Sequence, residues 1–337
     1  MKFVFYMLVA IGFTFPNIAM AELIILAAPR TGDPYYERVK DGIFNFHITY
    51  AQKLLDNGDQ VLILTDKKAH GRYKEALGQR HVVLFAVSDI WMRDFAPANV
   101  VSPIMFRYTA AGQGGGRQGQ RDADAVQEEL ARFAQRAGVI YPETDLLNDG
   151  GNFVDDYSGN AVVSRKFLRD NHLTEPQGRK RLRQLTGIRH VAFIESDEQG
   201  GLEHADGVVS FVDTNTLVIN SYPDKPRYAR QLKADLKRGL PGVKIHEIVT
   251  PYDGSNIHDE RFGSACGLYT NALVTPERIY LPQFGIPEDK IALAQVKAVT
   301  SRDVVAVDAR EVCFMGGGVR CLSWQLRGRT AARFLSD

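Results

Sequence analysis

A chain of 337 residues with 41 lysines and arginines against 40 aspartates and glutamates carries a net charge of +1, so it lacks the basic footprint that argues for a nucleic-acid partner. With 45% hydrophobic and 24% charged residues it reads as globular, long enough for one large domain or two ordinary ones. Three cysteines, Cys266, Cys313 and Cys321, are too few for a disulfide framework. They leave one thiol odd outside the cytosol and form no Cys-x-x-Cys pair of the kind zinc sites use.

The first residues have the anatomy of a secretory signal peptide. Met1-Lys2 is a short positive start, residues 3–15 are almost wholly apolar, and Ala19-Met20-Ala21 is a small-x-small ending before Glu22; cleavage is expected after Ala21. A membrane anchor fits less well, because a spanning helix wants about 20 apolar residues and Pro16-Asn17 interrupts this run. The expectation is a signal peptide over 1–21 and one catalytic domain over 22–337. The mature chain would be secreted or periplasmic, with no stable membrane insertion.

Residues 22–28 are a compact apolar run, a buried strand. Residues 34–57 place Val39, Ile43, Phe44, Ala51 and Leu54 at helical spacing and stop at Asn57-Gly58, so a helix is expected. Strands are expected over 60–64, 81–87 and 100–108, with a short helix over 71–77. Residues 110–124 turn polar and glycine-rich. They read as a mobile loop but lack the ending of a phosphate-binding loop. A helix follows over 125–137, then strands over 160–164 and 190–193 around a basic helix containing 180–185. Further strands are expected over 208–211, 216–221, 244–249, 272–275, 278–282 and 304–308, with helices over 227–238 and 287–299. Alternation of this kind suggests an α/β domain with a doubly wound parallel sheet. The pair 208–211 and 216–221, joined by Asp213-Thr214-Asn215, argues instead for mixed pairing.

Five stretches are candidates for chemistry. In Gly316-Gly317-Gly318-Val319-Arg320-Cys321, three glycines allow positive φ and close approach. Arg320 stands beside a cysteine whose free pKa of ~8.5 falls near positive charge. The others are Asp89-Ile90-Trp91-Met92-Arg93-Asp94-Phe95-Ala96-Pro97, Asn148-Asp149-Gly150-Gly151-Asn152-Phe153, Glu203-His204-Ala205-Asp206-Gly207 and Tyr269-Thr270-Asn271-Ala272. Taken singly, each also fits a bland role: an ion pair for Arg93 with Asp94, a turn at Asp149-Gly150-Gly151, a solvated strand edge for His204 and Asp206. His-x-Asp is also a two-ligand metal spacing, but no matching third ligand stands nearby.

Taken together and in this order, the stretches resemble the guanidine-modifying deiminases, the group of the agmatine deiminases and the bacterial, Porphyromonas-type peptidyl-arginine deiminases. That resemblance implies a five-bladed pseudo-symmetric α/β propeller (the pentein fold) of ββαβ-type modules, which would replace the doubly wound sheet and account for mixed pairing. It implies that Cys321 attacks a guanidinium carbon, that Asp94 and Asp206 clamp the guanidinium, and that His204 first protonates the departing ammonia and then activates water. Asp149, Asn271, Trp91, Arg93 and Gly318 would contribute to substrate binding. Arg117 and Arg121 lie where a peptide-carboxylate-binding arginine pair would be sought. No cofactor and no metal are required. The substrate would be a small-molecule or peptide guanidine: peptidyl-arginine or agmatine-like. An amidinotransferase and a non-catalytic arginine-binding protein use similar residues and remain as alternatives. The loop at 316–321 is one residue shorter than the Gly-Gly-Gly-Asn-Ile-His-Cys of many agmatine deiminases, and Asp149 stands where some relatives carry Glu.

Overall fold

The computed structural model describes residues 21–197 and 201–336; apart from Ala21, the expected signal peptide lies outside them. The described chain is mixed α/β, with five sheets laid down in chain order. The first contains β1 (Leu23–Ala27), β2 (Gln60–Thr65) and β3 (Val82–Leu84), all parallel, with α1 (Lys40–Asp56) and α2 (His70–Leu77) in the crossovers. After the short α3 (Met92–Phe95), the second pairs β4 (Met105–Arg107) with β5 (Glu143–Leu147) in parallel across α4 (Gly116–Arg136). An antiparallel bridge between Ala98 and Ile104 precedes it.

The third, fourth and fifth sheets repeat one scheme: a short antiparallel pair, then a parallel pair joined through helix. In the third, β6 (Val154–Asp155) is antiparallel to β7 (Asn160–Ser164). β7 is parallel to β8 (His190–Ile194), across α5 (Lys166–Asp170) and α6 (Glu175–Thr186). In the fourth, β9 (Val209–Asp213), β10 (Thr216–Asn220) and β11 (Lys244–Ile248) do the same around α7 (Pro226–Gly239). In the fifth, β12 (Leu273–Val274), β13 (Arg278–Gln283) and β14 (Asp303–Asp308) do so around α8 (Glu288–Lys297). β15 (Trp324–Leu326) returns to pair antiparallel with β1, Leu23 opposite Leu326, before the terminal α9 (Gly328–Phe334).

The core explains the strand at residue 23. Ile24 and Leu26 face one apolar cluster with Ile43, Phe46 and Tyr50, while Leu23, Ile25 and Ala27 face another with Val126, Leu130 and Trp324. Both faces are covered, as a parallel strand requires, and each such side chain contributes about 1.5–3 kcal/mol. One sequence expectation fails outright. Residues 116–124 are not a mobile loop but the first turns of α4. Ala123, Val126, Leu130 and Phe133 recur at helical spacing and are buried. Gly119 sits so close to the preceding turn that a Cβ there would be 2.7 Å from the Gln113 carbonyl oxygen. Polar Gln, Arg and Asp occupy the solvent face of that helix and hide its apolar stripe. β5, β6, β15, α5 and α9 were not expected; most are short and lack a turn signal.

Candidate active site

The glycine loop that carries Cys321, the expected nucleophile, begins where a 3-10 turn, Cys313–Met315, ends at Gly316 with φ of 102°. Only this glycine of the three has positive φ. Gly317 is required for space, since a Cβ would lie 2.3 Å from the Trp91 ring and 2.9 Å from the Cys321 Cβ. The Gly318 N–H donates to Asn271 Oδ1 at 3.1 Å. Asn271 therefore organises the loop: Oδ1 also accepts from the Cys321 N–H at 3.4 Å, and Nδ2 donates to Cys321 Sγ at 3.0 Å. The thiol is free and 7% exposed.

Around it stand three carboxylates and one imidazole. His204 Nε2 contacts Asp149 Oδ2 at 2.9 Å, and Nδ1 lies 3.6 Å from Asp94 Oδ1. Asp149 is fixed by the Thr109 N–H and hydroxyl at 2.8 and 2.9 Å. It is buried behind the imidazole, in contact with His204, and is absent from the wall of the main cavity. The Gly151 N–H donates to Asp94 Oδ1 at 3.2 Å. A Cβ on Gly151 would lie 2.5 Å from His204 Nδ1 and 2.7 Å from Asp94 Oδ1. Gly151→Ala is therefore expected to push acid and imidazole apart. It should cost ~1–3 kcal/mol of stability as an overpacked site and about 10²-fold in kcat/KM through misplacement, read by thermal melting and steady-state kinetics.

The electrostatics set the protonation states. Burial pushes the Asp94 carboxyl up to about 8, reinforced by Asp149 and Asp206 and opposed by His204. Burial by itself would lower the His204 pKa, but Asp94, Asp149 and Asp206 together raise it to about 10, so the ring is an imidazolium at neutral pH. Burial also pushes the Cys321 thiol well above its usual range, and Asp206 and Asp94 add to this. The expectation that Arg320 acidifies the thiol is not met. Its guanidinium donates to Asp206 Oδ2 at 2.7 Å and to the Phe153 carbonyl at 2.8 Å; its charge is taken up there.

A cavity of about 820 Å³ opens over this group, and Trp91, Asp94, His204, Asp206, Asn271 and Cys321 line it. Arg93 does not. Its side chain is buried in a second, small cavity with Asp155, Tyr157 and Arg320, and burial pushes its pKa down to about 10. Its contribution is the main-chain N–H, which donates to the Cys321 carbonyl at 3.0 Å. Arg117 and Arg121 are exposed on α4 and do not line the main cavity. From the glycine-rich stretch only Gly112 and Gln113 reach it. Sequence reasoning missed Tyr36, Gln113, Tyr222 and most of the wall over residues 250–265. Asp89, inside a stretch already singled out, was the available signal. It accepts from Tyr36 Oη at 3.1 Å, Gln113 Nε2 at 2.6 Å and the Trp91 N–H at 3.2 Å.

The chain can now be set beside known proteins. A relative from Shewanella sp. (strain MR-7), described as a candidate agmatine deiminase, is 24% identical over 285 residues, which cover 73% of this chain and 76% of that one. The solved agmatine deiminase of C. jejuni superimposes with a TM-score of 0.74 at 18% identity, covering 93% of this chain and 95% of its own. That of Enterococcus faecalis gives 0.73 at 18% identity, over 92% and 94%. These likenesses establish the fold. The description "Porphyromonas-type peptidyl-arginine deiminase" matches residues 16–326, nearly the whole chain and every stretch that lines the site, and on that match the protein belongs to this family of deiminases, hydrolases acting on carbon–nitrogen bonds.

Proposed function

We propose that this protein is an exported deiminase that hydrolyses a small cationic guanidine of the agmatine type to a ureido product and ammonia, through a covalent bond to Cys321. The observation that carries the reading is the convergence of the Cys321 thiol, His204 and the Asp94 and Asp206 carboxylates on one cavity. A guanidinium is planar and permanently charged, and two carboxylates hold it by charge-assisted hydrogen bonds. Burial is the main reason the thiol is held protonated, with Asp206 and Asp94 adding to it; a bound guanidinium offsets the carboxylates' share, which lowers the Cys321 pKa and favours release of its proton. The thiolate attacks the guanidinium carbon. The His204 imidazolium gives its proton to the departing nitrogen, which leaves as ammonia, and an amidino thioether remains. Neutral His204 then takes a proton from water as the water attacks, and the thiolate leaves from the ureido product.

The agmatine-type substrate is favoured by the cavity's charge. Beyond the clamp, Asp33, Asp89, Asp197 and Asp224 line it, against Lys225 and an Arg261 already paired with Asp259. A second cationic group suits that wall better than a carboxylate does. Export is supported by the Cys266–Cys313 disulfide, a bond that persists in oxidising compartments. We read the five sheets as the blades of the family's propeller. The test is ammonia release from agmatine, free arginine and an arginyl peptide. Agmatine is expected to be turned over with a kcat/KM at least ten-fold above the others. Preference for the arginyl peptide would overturn the substrate, and binding without ammonia release would overturn the reaction.

A further inference from the structure

Between β11 and β12 the chain runs from residue 249 to 272 without a strand or helix. This segment is not peripheral. Pro251, Tyr252, Arg261, Phe262, Ser264 and Ala265 form one wall of the large cavity, and Met315, Gly316 and Cys321 of the nucleophile loop lie on the same cavity. The segment closes on itself at its base. The Asp253 N–H donates to the Cys266 carbonyl at 3.3 Å, and a Cβ on Gly267 would be 2.3 Å from the Pro251 oxygen. Residues 252–257 between are exposed. The loop thus has little core of its own. It is fastened to the nucleophile loop by two main-chain hydrogen bonds, Ala265 N–H to the Cys313 carbonyl at 2.8 Å and His258 N–H to the Phe314 carbonyl at 2.9 Å, and by one covalent link, Cys266 to Cys313. That link enters the main chain three residues before Gly316. It therefore joins a substrate-facing wall directly to the backbone that presents Cys321.

We propose that the Cys266–Cys313 disulfide is a positioning clasp for the deimination reaction, and that substrate binding depends on its oxidation state. The proposal rests on the deiminase reading above. Closing the clasp from two thiols removes two protons and two electrons; a low-molecular-weight disulfide takes them and becomes two thiols. A dithiol such as dithiothreitol reverses the exchange and is itself oxidised to a cyclic disulfide. With the clasp open, the loop is held by two main-chain hydrogen bonds and by His258, whose Nε2 meets the Tyr35 carbonyl at 2.9 Å and whose ring packs edge-on against Tyr35 and Phe314; exposed segments such as 252–257 open locally at small cost. Cys321 is not one of the paired cysteines; its thiol is free and buried.

The experiment follows turnover of agmatine and amide hydrogen exchange in parallel. Wild-type protein is compared before and after dithiothreitol, after reoxidation with oxidised glutathione, and with the variant Cys266→Ser/Cys313→Ser. Maleimide labelling establishes that all three cysteines rather than Cys321 alone are reduced. The clasp predicts faster exchange over 251–264 and a KM raised about ten-fold, given how steeply catalysis depends on placement. Reoxidation should restore both, and the variant should match the reduced enzyme and ignore dithiothreitol. A lowered melting temperature with unchanged KM and unchanged exchange would mean the bond is only a brace, and would overturn the proposal. Faster exchange over 251–264 with no guanidine turned over by any form would overturn the deiminase reading instead, so the two fail separately.

Discussion

Cys321→Ala is expected to abolish ammonia release, with a loss on the order of 10⁴-fold or more, as when a covalent nucleophile is removed, while agmatine still binds. The thiol contributes one contact to Asn271 and one to Asp206. The clamp carboxylates, His204 and the cavity wall do not depend on it. The variant isolates the binding step, and its pH dependence has a definite sign. The Asp94 carboxyl is raised to about 8 in the ligand-free protein, and a guanidinium binds the ionised form. Below that pH the ligand must displace a proton. The dissociation constant is therefore expected to rise about ten-fold for each unit of pH fall, and calorimetry in buffers of different ionisation enthalpy should register proton release. Residual turnover near the wild-type rate would remove Cys321 from the mechanism. Binding that tightens as pH falls would remove Asp94 from the clamp.

Asp206→Asn is expected to damage both stability and activity, for separable reasons. Asp206 is buried, 1% exposed, and accepts 2.7 Å from the Arg320 guanidinium. Removing its charge leaves a buried arginine hydrogen-bonded to the Phe153 carbonyl, with Asp155 as a nearby carboxylate. Breaking a buried pair from one side costs about 3–5 kcal/mol, visible as a shifted denaturant midpoint. Its loss from the clamp should cost activity at least ~1.5–3 kcal/mol more, the worth of a hydrogen bond to a charged group. The double replacement Asp206→Asn/Arg320→Gln separates the two effects, because it removes the stranded charge without restoring the carboxylate. Stability is expected to recover in part and activity not at all. Recovery of activity with stability would make Asp206 a structural residue and leave Asp94 alone on the guanidinium.

The motif residues were legible because their chemistry demands particular residue types: a thiol, an imidazole, carboxylates, and glycines where a side chain cannot fit. What those glycines do was less legible. The sequence suggested freedom of φ at Gly316, Gly317 and Gly318. The structure shows that Trp91 and Asn271 crowd two of them instead, a constraint from residues far away in the chain. The roles of Arg93 and Asp149 were unreadable for a similar reason. Each sits beside a reactive neighbour and is as buried as Asp94 and Asp206; only the direction the fold gives the side chain distinguishes one facing the cavity from one turned behind it. The α4 region failed because glycine and polar residues dominate its first turns, while Ala123 and Val126 carry the helix's buried stripe. The wall over 250–265 has no period and no motif; its place comes from a covalent link, main-chain hydrogen bonds and the contacts of His258 with Tyr35 and Phe314, partners far away in the chain.

The pairing of β15 with β1 has a consequence for the order of events in folding. Cys321 lies three residues before β15, and Leu23 meets Leu326 across the sheet, a separation that spans almost the entire described chain. Contacts of such range form late, because the intervening loop must first be closed. The loop that carries Cys321 is thus seated only when β15 finds β1. A chain cut short before Trp324 would lack a partner for one edge of β1 as well as the anchor for its reactive thiol.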